Sequence, residues 1–133
     1  MDDGIIVAKS FRDGWADARD RAGAMALAAK GGTAMMPGII TMANRLRARG
    51  GVSRRVLIVL TDGEDRYNPN SNRAAIAAAE AHGVEVVGLG MCHDASHIFT
   101  RHVLINDLNA VADRGLGALL DVLNGKGRAL RAA

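Results

Sequence analysis

Short runs of large apolar residues alternate along the chain with longer segments of helical spacing, a pattern typical of strands covered by helices. Five consecutive aliphatic residues occupy positions 56–60, and this run predicts a strand over 55–61 that is central, parallel and buried on both faces. Shorter apolar runs predict further strands at 4–9, 84–89 and 103–105. The strand over 55–61 is the most apolar of the set.

Two helices are predicted between the first two strands, from apolar residues three and four positions apart. The first covers 11–30, with Trp15 on its apolar side. The second is capped by Thr33 and runs to about residue 49. Four of its apolar residues are expected to face the sheet: Ile39, Ile40, Ala43 and Leu46.

Two further helices are predicted after the most apolar strand. Ser71 is expected to cap an alanine-rich helix over 72–81, which Gly83 closes. Asp107 begins the last helix, which ends near residue 123. Parallel strands joined by covering helices predict an α/β fold with a doubly wound, Rossmann-like and mostly parallel sheet carrying helices on both faces.

The length of 133 residues fits one domain. We expect this domain to span residues 1–125, followed by a flexible C-terminal tail at 126–133. Apolar residues make up 49% of the chain but aromatic residues only 3%, so the core is built from Ala, Val, Leu, Ile and Met. This composition favours helices packed on a sheet over an aromatic-rich β-sandwich.

The charge pattern disfavours nucleic acid as a partner. The formal net charge of +3 comes from 17 basic and 14 acidic residues, and the two signs are interspersed, as around Arg12 and Asp13. The single cysteine, Cys92, excludes an intrachain disulfide and a cysteine-based zinc cluster. No apolar stretch reaches the roughly 18 residues of a membrane span, and no signal peptide is apparent. We therefore expect a cytoplasmic protein that binds neither nucleic acid nor membrane.

Asp62 is the strongest candidate for a functional side chain. It directly follows the most apolar strand, and ligands of open parallel sheets bind beyond the carboxyl ends of the strands. A carboxylate fixed there, with Gly63 allowing a sharp turn, suits a hard divalent cation such as magnesium. The alternative is that Asp62 only caps the turn that follows.

The loop Gly31-Gly32-Thr33 is the second candidate. Two glycines allow a tight loop at the same end of the sheet, and the Thr33 hydroxyl is a neutral oxygen ligand. The alternative is that the glycines end one helix and Thr33 caps the next.

The two motifs together resemble the second half of a von Willebrand factor A-type (VWA) domain. In that family a metal-ion-dependent adhesion site (MIDAS) is formed by an Asp-x-Ser-x-Ser motif, the threonine of a Gly-x-Thr loop and the aspartate of a strand-ending Asp-Gly. Thr33 and Asp62 match the last two ligands. The resemblance extends over residues 4–123 and is closest to the VWA subunit of cobaltochelatase, through the segments 9–19 and 88–96.

This resemblance implies a protein-binding and assembly module without catalysis of its own. Its metal, magnesium or alternatively manganese, keeps one coordination position open for a carboxylate of the partner. The implied partners are a ring-forming AAA+ ATPase and a large chelatase subunit, which together insert cobalt in cobalamin biosynthesis.

The Asp-x-Ser-x-Ser motif is absent from the chain. In the family it follows a first strand that lies beside the one ending in Asp62, so that strand is expected here to have an unpaired side and exposed apolar surface. Three arrangements fit: a truncated domain, half of a split domain, or a smaller sheet closed by residues 4–9. In each, Thr33 and Asp62 alone bind magnesium weakly, because two ligands leave most of its octahedron to water.

Two other functions remain open. One is a degenerate, metal-free VWA remnant or interaction domain. The other is a phosphoryl-transfer enzyme using Asp62, although no phosphate-binding loop ending in Lys-Ser/Thr is present. Near the same rim, His93 is expected to bond to Asp94 in a loop, the alternative being a contact of these residues with a partner or the metal. Cys92 is expected to be a small buried residue.

Overall fold

The computed structural model describes residues 10–17, 35–62, 68–107, 109, 115–125 and 129–132 of the chain. Within these ranges, three helices and four strands have described bounds. In chain order they are α1 (Met35–Arg47), β1 (Val56–Thr61), α2 (Pro69–Ala81), β2 (Glu85–Met91), β3 (His102–Ile105), α3 (Leu116–Leu123) and β4 (Ala129–Ala132).

The four strands form one open sheet in the order β1-β2-β3-β4, and every neighbouring pair is parallel. In the register of β1 and β2, Ile58 lies beside Val87 and Leu60 beside Leu89. The predicted α/β class with a parallel sheet is therefore confirmed. The parallel arrangement follows from the chain itself, since a helix or a long loop separates each strand from the next and returns the chain to the same end of the sheet.

Each face of the sheet has its own apolar core. On one face, Ile39 of α1 and Ile76 of α2 pack in one core with Val86 of β2 and with Phe99, which follows β2. On the other face α3 packs on the intervening positions, which include Val87, Leu89, Val103 and Ile105, through Leu119 and Val122. The consecutive residues Val86 and Val87 thus point into different cores, as expected for a strand covered on both faces. Helices on both faces were predicted, and this is confirmed.

The strand β1 departs from its prediction. Among the described residues it lies at one end of the sheet order, and Ile58 and Leu60 are 39% and 61% exposed. The prediction of a central strand buried on both faces is therefore wrong. The reason is that α1 covers one face of β1, at Leu57, while the core beneath α3 is built on β2 and β3. The expected exposed apolar surface is confirmed. Among the described residues no strand pairs with the side of β1 away from β2, and the candidate neighbour at 4–9 lies outside them.

The helix caps also differ from the prediction. Asn68, and not Ser71, caps α2: its side-chain oxygen accepts the Ser71 N–H at 2.9 Å, and Pro69 opens the helix. Proline suits this position because its missing N–H would have no partner within the helix. Gly83, at φ 84°, closes the helix as predicted.

Other predictions on the helices have mixed outcomes. Ile39 and Ala43 of α1 are buried, whereas Ile40 is 41% exposed. Trp15, expected on the apolar side of the first helix, is 81% exposed. The cap Thr33 and most of the helix at 11–30 lie outside the described residues.

The end of the chain contains an element that the sequence did not predict. Ala129–Ala132 forms β4 and pairs in parallel with β3, with Val103 beside Leu130. The predicted flexible tail over 126–133 is therefore wrong for these four residues, because the outer side of β3 supplies backbone partners for them. In the described part, no helix combines the length and the apolar character that a membrane crossing requires.

Candidate functional site

The carboxyl ends of β1, β2 and β3 lie at the same end of the sheet because the strands are parallel. An opening of about 310 Å³ lies there, lined by Leu60, Thr61, Asp62 and Met91. The site thus spans the ends of β1 and β2, which is where ligands of open parallel sheets bind. Asp62 is the charged member of this lining.

Asp62 and its neighbour differ sharply in exposure. Thr61, the last residue of β1, is 7% exposed, and Asp62 directly after it is exposed. The strand holds the backbone up to Thr61 through its register with Gly90 of β2. The carboxylate is therefore anchored by rigid backbone at the rim, as the sequence predicted. Its exposure differs from the prediction, because restricted access of solvent was expected at this position.

Gly90 shapes the rim next to Asp62. A Cβ atom placed on Gly90 would lie 2.0 Å from the backbone oxygen of His93, so only glycine lets the loop after β2 fold back against its own strand. Cys92 completes the turn at φ 55°, and its N–H donates to the Ile105 carbonyl at 2.6 Å. The end of β2 is thereby tied to the end of β3.

The polar side chains of this loop serve mainly its own turns. The Asp94 carboxylate accepts the Ser96 N–H at 2.9 Å, and in the segment after β3 the Asp107 carboxylate accepts the Asn109 N–H at 2.9 Å. The His93 ring meets the His97 ring edge-on, with 5.9 Å between centroids. These contacts favour a loop-packing role for His93, with His97 as its ring partner.

Cys92 is exposed, and the prediction of a buried cysteine is wrong. Its thiol donates to the Asn106 carbonyl oxygen at 3.2 Å. The residue lies in the turn beyond β2 and outside the core, which explains its exposure.

The predicted metal ligands are only partly described. Asp62 is placed at the rim, whereas Thr33 lies outside the described residues. Among the residues that are described, no three or more His, Cys, Asp or Glu side chains come together in a way that could hold a metal ion. An exposed carboxylate beside an opening of this size fits a hydrated magnesium ion as one oxygen ligand, and the remaining ligands would have to come from Thr33, water or a partner.

A groove along β1 was missed by sequence reasoning. It has a volume of about 260 Å³ and lies between α1 and the strand, lined by Met35, Gly38, Ile39 and Met42 together with Leu57–Thr61. The aliphatic run at 56–60 could have predicted this groove if it had been interpreted as a strand at the edge of the sheet.

A charged cluster at the opposite, amino end of the sheet was also missed. The Glu85 carboxylate accepts hydrogen bonds from Arg54 and, at 2.9 Å, from Arg101, and the Arg54 guanidinium also donates to the Leu123 carbonyl. The hydrogen bonds from Arg54 and Arg101 hold the pKa of Glu85 below its ordinary value, and the Glu85 carboxylate raises the pKa of Arg54. The cluster joins the starts of β1 and β2 to the end of α3.

No protein-family model matches the chain, and no curated protein or solved structure matches it significantly.

Proposed function

We propose that the chain is a non-catalytic protein-binding and assembly module of the VWA type, which binds its partner through a metal ion at Asp62. The observation that carries the proposal is the position of Asp62. It is an exposed carboxylate directly after β1, beside an opening at the carboxyl ends of parallel strands.

The chemistry of this position suits a bridging cation. Magnesium takes oxygen ligands and keeps several waters when few protein ligands are present. Asp62 and, by the resemblance, Thr33 would hold the ion, and the ion when bound supplies an open position for a carboxylate of the partner. With these two ligands we expect a weak site, with a Kd on the order of 10⁻³ M.

The lining of the opening supports a binding role over phosphoryl transfer. Among the described residues, Leu60, Thr61 and Met91 line the opening together with Asp62 and include no lysine or second acid. Phosphoryl transfer requires further charged groups that converge on the phosphate. A phosphorylated Asp62, detected after incubation with a phosphodonor, would instead favour the enzyme.

The partners in this proposal are those that the resemblance implies. They are an AAA+ ATPase and a large chelatase subunit, in a complex that inserts cobalt during cobalamin biosynthesis in the cytoplasm. Nucleic acid is a poorer candidate, because Arg54 and Arg101 are paired with Glu85 and so are not presented to phosphates.

Calorimetric titration with magnesium and with manganese tests the metal site. We expect saturable heat for the wild-type chain, loss of that heat in Asp62→Asn, and weaker binding in Thr33→Ala. Asp107→Asn is the matched control, since Asp107 is another exposed carboxylate just beyond a strand, β3, and we expect its binding to match the wild type. Absence of saturable heat in the wild type contradicts the metal site and favours the metal-free interaction domain.

Capture of the AAA+ ATPase tests the partner. The proposal predicts that binding is lost in EDTA, is restored by magnesium and is lost in Asp62→Asn at any magnesium concentration. Binding that survives both EDTA and the Asp62→Asn substitution contradicts the metal bridge.

A further inference from the structure

The segment formed by α1, the following loop and β1 carries charge of one sign. Basic and acidic residues alternate around Arg12, but from Met35 to Thr61 every charged residue is an arginine. Three of them lie in or just after the last turn of α1, and two directly precede β1: Arg45, Arg47, Arg49, Arg54 and Arg55. Positive charge is therefore concentrated on one part of the fold.

The two arginines before β1 are bonded within the chain. The Arg54 guanidinium donates to the Glu85 carboxylate. The Arg55 Nε donates to the Leu46 carbonyl at 2.8 Å, and the Arg55 guanidinium also donates to the Arg49 carbonyl. Arg55 thus satisfies carbonyl groups at the end of α1 and fixes the backbone that carries Arg49.

The three arginines at the end of α1 have no carboxylate or hydrogen-bond partner for their side chains among the described residues. The Arg49 guanidinium lies over the Phe11 ring, 4.9 Å from its centroid, and this stacking leaves its N–H groups available as donors. Arg45 lies one turn before Arg49 on the same side of the helix, whereas Arg47 lines the groove against α2. Arg45 and Arg49 therefore place two unpaired positive charges side by side.

A closed turn brings aromatic side chains to these arginines. The Asp13 carboxylate accepts the Ser10 N–H at 2.7 Å, and the Asp13 N–H donates to the Ser10 carbonyl at 3.3 Å. Phe11 and Arg12 form the tip of this turn, and Trp15 follows it. Phe11 is 47% exposed and Trp15 is 81% exposed. We call the following residues the arginine–aromatic surface: Phe11, Arg12, Trp15, Arg45 and Arg49.

We propose that the arginine–aromatic surface binds an acidic segment of a partner protein, in which carboxylates are interspersed with apolar residues. The carboxylates accept charge-assisted hydrogen bonds from Arg12, Arg45 and Arg49, and an apolar residue covers the Trp15 ring. Tryptophan and arginine are among the residues that contribute most to binding at protein interfaces. This surface lies beyond the start of β1, about 20 Å from the rim at Asp62, so it is separate from the metal site proposed above.

Charge spacing favours a protein segment over nucleic acid. Asp17 is exposed, lies two residues after Trp15 and has no partner among the described residues. A nucleic acid carries a phosphate on every nucleotide, so a base stacked on Trp15 would bring a phosphate close to Asp17. A peptide can place a neutral residue there. The Arg49 guanidinium also covers one face of the Phe11 ring, which closes that face to a base.

Emission from Trp15 reports binding directly, because Trp15 is the single tryptophan of the chain. We expect a saturable blue shift of this emission on titration with a synthetic peptide of Asp-Asp-Leu repeats, since the ring moves from water to an apolar cover. The same peptide with asparagine in place of aspartate should give no shift. Absence of a shift with the acidic peptide, or an equal shift with the neutral one, overturns the proposal. The titrations are made in EDTA, so their outcome is independent of the metal site.

Arg45→Glu and Arg47→Glu are matched variants. Both residues lie in the last turn of α1, so the two substitutions change the net charge and the charge at the helix end equally. At about 0.15 M salt the Debye length is about 8 Å, and we expect Arg45→Glu to weaken peptide binding about tenfold or more and Arg47→Glu less than about threefold. Equal losses would indicate attraction to overall charge and overturn the proposal.

Arg12→Glu provides a second variant, in an exposed turn where a change of side chain leaves the core intact. We expect it to weaken binding of the acidic peptide, while circular dichroism stays that of the wild type. Peptide binding that is unchanged in Arg12→Glu and in Arg45→Glu overturns the proposal.

Two other occupants of the arginine–aromatic surface give different results. An oligothymidylate of the same net charge should bind more weakly than the acidic peptide at the same salt concentration. Tighter binding of the oligothymidylate, lost in Trp15→Ala, would identify nucleic acid as the occupant and overturn the proposal. A shift of Trp15 emission with chain concentration alone would identify a second copy of the chain as the occupant, and it also overturns the proposal.

Discussion

The adjacent strands β1 and β2 are similar in composition and differ in how they are enclosed. Every interior residue of β2 is buried, whereas the exposure of β1 alternates and reaches 61% at Leu60. On β2 both sides pair with strands and both faces are covered by helices. On β1 only the side towards β2 and the face towards α1 are closed among the described residues.

This difference shows that a run of aliphatic residues indicates that a strand can be buried, but does not indicate where in the sheet the strand lies. The β2 segment is interrupted by Gly88 and Gly90 and is the less apolar of the two, yet it is the buried strand. The glycines are required by its enclosure, since a Cβ atom on Gly88 would lie 2.2 Å from the Phe99 ring. Glycines therefore occur in the enclosed strand β2, and large aliphatic residues occur in the more exposed strand β1.

The largest expected effect comes from Gly90→Ala, which adds one methyl group to the enclosed strand. That methyl would collide with the backbone oxygen of His93, so we expect destabilisation of about 3 kcal/mol or more. Gly38→Ala in α1 is the control, because a Cβ atom there meets nothing within 4 Å and alanine favours a helix. Urea unfolding measures both. A Gly90→Ala chain as stable as the wild type would show that β2 is less enclosed than described.

A smaller difference in stability is expected between substitutions at two residues that lie side by side on the same face of the sheet. Val87 of β2 is 0% exposed and its neighbour Ile58 of β1 is 39% exposed. We expect Val87→Ala to reduce the free energy of unfolding by about 2 kcal/mol, and Ile58→Ala by less than about 1 kcal/mol in the monomer. Unfolding of the dilute chain checks this difference. Equal losses would contradict the contrast between the strands.

The smallest effect concerns the charged cluster at the amino end, where the two strands are joined. The pKa of Glu85 is lowered in the folded chain, chiefly by the Arg54 hydrogen bond, so its contribution to stability is present above the ordinary value of 4.5. That contribution is lost as the pH falls through the lowered pKa. Glu85→Gln should therefore cost less than about 1 kcal/mol at pH 7, and its difference from the wild type should vanish in acid. A difference that persists below both pKa values would show that the cost is not electrostatic.

Much of the fold followed from the sequence because local patterns decide it. The aliphatic runs located β1, β2 and β3 to within about two residues, and the alanine-rich segment located α2. The strand β4 was missed because Ala129–Ala132 carries no strand pattern of its own and depends on its pairing with β3. Asn68 was missed as a cap because Ser71 lies closer to the alanine run, although Pro69 marked the true start.

The candidate site was predictable in part. Asp62 was placed at the rim because the end of an aliphatic run is readable from sequence. The Glu85 cluster was not predictable, since Arg54 and Arg101 approach Glu85 only through the registers of two strand pairs. The open side of β1 was predicted only from the resemblance, which implied that a neighbouring strand is missing. The apolar run alone could not predict it, because such runs occur both in covered strands and in open ones.

Residue-resolved amide hydrogen exchange along β1 tests most directly whether one side of this strand is open. In dilute solution we expect an alternating pattern: Leu57 and Val59, bonded to β2, exchange slowly, and Ile58 and Leu60 exchange fast. Strong protection of Ile58 and Leu60 would contradict an open side on β1.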